Sequence, residues 1–349
     1  MFPKIICTTF LLFFLVSCKS NFKNDSKSTL KVQTDTLLID QISIRAIAID
    51  KNILYYAANK NRVGFIDLTN GKKFERALKK DSLNLEFRSL AITKEAVFVL
   101  SIANPALLYR FSKDLISKKL VYEEHHEKVF YDAMQFWNNS DGIALGDPID
   151  GTFSLLLTHD GGQSWNKVPS IDAPKAKEGE AVFAASNSNI ILKNKEAWFV
   201  TGGHKARVFH SLDNFLSWNI QDTPIIQGST MTGIFTADFY NEKIGIVSGG
   251  NYDKPEQNAT NKAITTNGGK SWKLISDNAA FGYASCIQFV PESKGKALMS
   301  VGATGVFYSN DKGTTWTQIS KDNSFYTIRF MDNHTAIAAG KNKIVRIRF

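Results

Sequence analysis

Thr158-His-Asp160-Gly-Gly162-Gln-Ser-Trp165 returns three more times along the chain. It reappears as Ser211-Leu-Asp213-Asn-Phe215-Leu-Ser-Trp218, as Thr265-Thr-Asn267-Gly-Gly269-Lys-Ser-Trp272 and as Ser309-Asn-Asp311-Lys-Gly313-Thr-Thr-Trp316. The tryptophans fall 53, 54 and 44 residues apart. A period in that range marks a repeat architecture, most often a β-propeller. The chemistry within each copy is that of a turn. Ser/Thr and Asp/Asn side chains accept bonds from the loop's own N–H groups. Glycine supplies a positive φ, and Trp is a large anchor for the neighbouring strands. Asp160, Gly162, Trp165, Asp213, Trp218, Asn267, Gly269, Trp272, Asp311, Gly313 and Trp316 are therefore expected to be structural. The same residues recur in every copy, whereas an active site needs only one.

The stretches between these turns alternate in strand-length runs. Four-strand units start near Ile44, Phe87, Tyr131, Glu180, Gly233 and Tyr283, and the last, Phe325–Phe349, has only three strands. Leu30–Ile39 is an apolar run able to supply the missing one. Closure by such a strand would remove two exposed edges. The expectation is an all-β chain forming a single seven-bladed β-propeller over residues 30–349, its last blade closed by the N-terminal strand.

The 349 residues carry a net charge of +9, with 43 % hydrophobic and 12 % aromatic content. That is ample for a core. The lysines are scattered rather than clustered, which argues against a nucleic-acid partner. Lys4 followed by the apolar stretch Ile5 to Val16 reads as a signal segment, too short to span a bilayer of about 30 Å. Its end, Leu15-Val16-Ser17-Cys18, resembles a bacterial lipobox. That resemblance implies a signal peptide over 1–17, a lipidated Cys18, a polar tether over 18–29 and a membrane anchor. With Lys19 rather than Asp following, it points to the outer membrane, facing the periplasm; a monomer is expected. Cys7 leaves with the signal, so Cys286 stands alone and is expected to be a small core residue.

The recurring turn resembles the Asp-box, or BNR repeat, of sialidase-type proteins. Further phrases resemble a bacterial group similar to the photosystem II stability/assembly factor family. They are Phe87-Arg88-Ser-Leu, Tyr131-Asp132-Ala-Met, Gly142-Ile-Ala-Leu-Gly146-Asp147-Pro148, Gly179-Glu180-Ala-Val-Phe-Ala-Ala and Gly202-Gly203-His-Lys-Ala-Arg207-Val. The resemblance implies an assembly or binding propeller, although some similar proteins carry an oxidoreductase label. Sialidases carry an Arg-x-Pro phrase near the start; none occurs here. No nucleotide-binding glycine motif, metal-ligand spacing or C-x-x-C occurs either, so neither cofactor nor metal is expected.

In a propeller the loops fall on two faces. The turns lie on one, and the phrases above lie on the other, around the channel mouth. Candidate ligand-binding residues there are Arg45, Arg88, Asp132, Asp147, Glu180, His204, Arg207, Asn251, Tyr252 and Tyr283. Arg88 and Arg207 could present forked donors to a polar or anionic protein or carbohydrate partner. Asp132, Asp147 and Glu180 could orient the arginines, or two of them could form the acid/base pair of a glycoside hydrolase. The same residues could equally pair with one another and plug the mouth. Of these readings a non-catalytic binding propeller leads. The polar loop Asn251–Asn261 is a candidate rim or lid.

Overall fold

The computed structural model describes residues 30–78, 82–213, 215 and 217–349. The signal segment, Cys18 and the tether lie outside the described residues. The rest of the chain is an all-β propeller, with no α-helix among the described residues. The inner strands are almost wholly buried and rich in β-branched and aromatic residues, as a sheet covered on both faces requires.

The strands form six hydrogen-bonded sheets rather than the seven expected. The difference has a plain cause. The strands expected for the first and last blades lie in one six-stranded closing sheet, because Gln33–Asp50 and Thr335–Arg348 each run on from one part of it to the next. Gln33–Ile39 pairs antiparallel with Lys343–Arg348, while Ala46–Asp50 pairs with Ile53–Ala57. The N-terminal strand thus does cover the C-terminal edge. Leu37 itself falls in the register shift between Thr36 and Leu38.

The second sheet starts at Phe87–Ile92, the third at Tyr131–Phe136 and the sixth at Ala284–Phe289, each four strands deep. The fourth departs from expectation. Its inner strand is Ile190–Lys193, and the strand at Glu180 is only Glu180–Ala181. That two-residue piece joins Gly202–Gly203 and the fifth sheet, headed by Thr232–Phe239. Glycine is required at this junction. A Cβ on Gly233, at φ 128°, would lie 2.3 Å from the Gly202 Cα.

Between Ala181 and Ile190 the backbone leaves the sheets and crosses the channel. Asn187 donates to Leu90 O (2.7 Å) in the second sheet and accepts from Met134 N (2.9 Å) in the third. Ser188 and Thr236 share a 2.7 Å hydroxyl bond, and Ser186 donates to Ser285 O at 2.7 Å. From the closing sheet, Arg45 Nη1 donates to Ala185 O, and Arg329 Nη2 donates to Ser186 O and Asn187 O. Residues 182–189 are thus a plug bonded to the inner strands of the other five sheets. A run of Ala, Ser and Asn suits the task, since small polar side chains satisfy a buried loop backbone without needing volume.

Candidate functional site

The four recurring turns share one hydrogen-bond pattern. In the first, Thr158 Oγ1 donates to Asp160 Oδ1 (2.9 Å) and accepts from Gly162 N (3.0 Å), while Ser164 N and Oγ donate to the two Asp160 oxygens. Ser211/Asp213/Ser217 and Ser309/Asp311/Thr315 repeat it, while in Thr265/Asn267/Ser271 the Asn267 Nδ2 instead donates to Ser271 Oγ. Burial alone would raise the Asp160 pKa, but the Ser164, Thr158 and Gln163 donors outweigh it and bring it down to about 2. These side chains are thereby committed to holding their own turns. Each turn also meets the preceding blade. Gly162 faces the Phe98 ring, Phe215 packs 4.2 Å from Trp137, Gly268 O accepts from Trp198 Nε1 (3.0 Å), and Gly313 faces Ile275.

The opposite face carries the candidate residues, and they separate into three groups. Glu180 and Arg207 are locked together. Arg207 Nε and Nη2 bond the two Glu180 oxygens at 2.8 and 2.5 Å. Thr201 Oγ1 and Lys177 N fill the rest of the carboxylate, and Arg207 also reaches Lys175 O. Their side chains are only 0 % and 8 % exposed. This fork therefore holds Glu180 rather than a ligand, and Glu180 leaves the list of acid/base candidates.

Asp132 and Asp147 form the second group. Asp132 is fully buried; the Ala184 amide approaches it, but neither oxygen receives a well-formed hydrogen bond. Asp147 Oδ1 accepts from Val182 N (2.8 Å), the first amide of the plug. Burial, and then the neighbouring Asp147 charge, push the Asp132 carboxyl well above the usual range, with Arg88 and the Ala184 amide opposing. Burial raises Asp147 to about 6 against the Val182 bond. Arg88 is itself paired with Glu86 at 2.8 Å.

The third group encloses a cavity of about 270 Å³ lined by Arg45, Tyr252, Pro255, Tyr283, Phe325 and Tyr326 among others. Arg45 lies 4.1 Å over the Tyr326 ring. Tyr252 packs edge-on to Tyr283 at 5.2 Å and is 46 % exposed. Beneath them Phe235 stacks on Phe183 at 3.8 Å, tying the aromatic cluster to the plug. The Asn251–Asn261 loop forms one wall, with Pro255 O accepting from Tyr283 N at 2.7 Å. Asn251 spends its side chain on the turn, accepting from Asp253 and Lys254.

His204 stands apart, exposed, its ring against the Gly179 Cα. Away from the mouth, His125 pairs with Glu123 in the open, at 3.0 Å. Sequence reasoning missed Tyr326, Phe325 and the plug. A Phe-Tyr pair opening an inner strand was their available signal. Cys286 is buried among inner-strand residues.

No protein-family model matches the chain, and no curated protein matches it in sequence. Solved structures do match its fold. YCF48 bound to D1 peptide is similar at 13 % identity, over 91 % of this chain and 96 % of that one, with a TM-score of 0.65. YCF48 from Cyanidioschyzon merolae gives 11 %, 90 %, 98 % and 0.66. The RRP9 WD40 repeats give 10 %, 91 %, 99 % and 0.62. At these identities the likeness is one of fold.

Proposed function

We propose that the chain is a non-catalytic, lipid-anchored propeller whose channel mouth holds a segment of a polar or anionic partner, in the manner of an assembly factor. The observation that carries this reading is the cavity ringed by Arg45, Tyr252, Tyr283 and Tyr326 above a plugged channel. A concave, largely apolar site with a few polar groups is the usual form of a binding pocket, and Tyr and Arg are the residues on which interfaces concentrate their energy. That a fold neighbour, YCF48, is solved with a D1 peptide adds support for a polypeptide partner. In this reading the closing sheet counts as two blades, Gln33–Asp50 and Thr335–Arg348 each supplying two strands, for seven in all.

The hydrolase alternative rests on Asp132 and Asp147. It is disfavoured because the Asp132 oxygens are sealed from solvent and a glycosidase acid must reach its substrate. The test is a thermal-shift screen of peptides and glycans against the protein and its Arg45→Ala and Tyr252→Ala variants. A stabilising ligand should lose its effect in both variants. One whose effect survives both binds elsewhere, and the reading falls. The anchor is tested separately, since Cys18→Ser should release the protein from membranes; retention at high salt would remove lipidation from the proposal.

A further inference from the structure

The Asp132–Asp147 pair does something that neither the turn chemistry nor the mouth cavity needs. Asp147 grips the plug at Val182 N, while Asp132 sits buried beside it, approached by the Ala184 amide of the plug without a well-formed bond to either oxygen. A buried carboxyl with so few donors is costly if ionised, and two ionised carboxylates side by side are costlier still. We propose that this pair is a proton-dependent latch, holding residues 182–189 in the channel while it carries a proton and loosening them when both groups ionise.

The surroundings leave the pair to set the local charge balance. On the Phe87–Ile92 strand, Arg88 offers the one opposing charge that acts on Asp132, and it is already paired with Glu86. Glu180 and Arg207, beside the start of the plug, neutralise each other. Arg45 and Arg329 grip later carbonyls of the plug, from Ala185 to Asn187, and are not directed at the acids. A protonated Asp132 adds no charge to this buried site; an ionised one faces the Asp147 charge there. Both carboxyls are raised, Asp147 to about 6 and Asp132 well above the usual range, so the pair keeps a proton beyond the pH at which ordinary carboxyls have lost theirs.

The latch bears on the mouth because Phe183, at the start of the plug, stacks on Phe235 beneath Tyr252 and Tyr283. That consequence for a ligand rests on the proposed function; the latch itself does not.

The test is hydrogen exchange of the plug amides in the full-length protein between pH 5 and 8, corrected for intrinsic rates. Core strand amides of Thr152–Thr158 serve as reference. In the wild type, plug protection should fall about ten- to a hundredfold as pH rises, following the upward shift of the pair. Asp132→Asn, which keeps the shape but cannot ionise, should hold protection constant. Asp147→Asn should do the same, and it carries the test should Asp132→Asn not fold. Plug protection that is flat with pH in the wild type, or that falls equally in the folded variants, overturns the latch. Exchange requires no ligand. A titrating plug with an empty mouth cavity would therefore sink the binding reading alone.

Discussion

Phe215 holds the position that glycine occupies in the other three turns, and it does so at φ 74°. Side chains are penalised there by about 1–2 kcal/mol. The compensation is packing, since the ring is buried between Trp137 and Trp218. Deleting a buried aromatic costs about 3–5 kcal/mol, so burial wins. Phe215→Gly should destabilise by about 2–3 kcal/mol despite relieving the backbone, as read by urea unfolding. A gain in stability would show that the strain outweighs the packing. Trp165, 5 % exposed, should lose the full aromatic increment of about 3–5 kcal/mol on replacement by Ala. Trp316 is only partly buried and should lose less. At this scale the turns were legible in the sequence, because their bonds are local. The Glu180–Arg207 lock was legible only as one of two open readings, since a fork closing over 27 residues leaves no periodic trace to say which carboxylate each arginine takes.

Elements were legible where they repeat and hidden where they do not. The closing strand could be inferred because the last unit lacks a strand and an apolar run stands unused. Its pairing with Lys343–Arg348 covers what would otherwise be an open edge. Deleting residues 33–39 should expose that edge, and light scattering should then detect oligomers. A monomer of unchanged stability would deny the strand any role. The plug stayed hidden because Ala-Ala-Ser-Asn-Ser-Asn reads as an ordinary polar loop, and only its bonds to five sheets reveal its place. Arg329 is its lower clasp. Removing the side chain in Arg329→Ala leaves the Ser186 and Asn187 carbonyls short of charged donors, at a cost of about 2–4 kcal/mol. Equal stability to urea in this variant would mean that solvent replaces the guanidinium without loss.

Across the whole molecule, the tryptophan period made the propeller readable, while long continuous strands blurred its division into sheets. The pH dependence of stability is a property of that whole, and its signs follow from opposed shifts. Asp160 sits below its ordinary value, at about 2, so its contribution is present above about pH 4 and lost as pH falls toward 2. Asp147 is raised, so its contribution is present below about pH 4 and lost as pH rises through about 6. Lys262 adds a third window. Its side chain is fully buried, bonded to Asn261 Oδ1 and Ala279 O and lying over Phe281. Burial lowers it to about 8, against a pull upward from Asp277. Between about pH 8 and 10 the folded chain has released this proton while the unfolded chain keeps it. Stability should therefore rise with pH in that window, by on the order of 2 kcal/mol. Lys262→Met, with a similar shape and no charge, should lose the rise whatever its stability at pH 7. Urea unfolding of both proteins at pH 8, 9 and 10 decides it. A slope that persists in the variant would show that the buried ammonium is not its source.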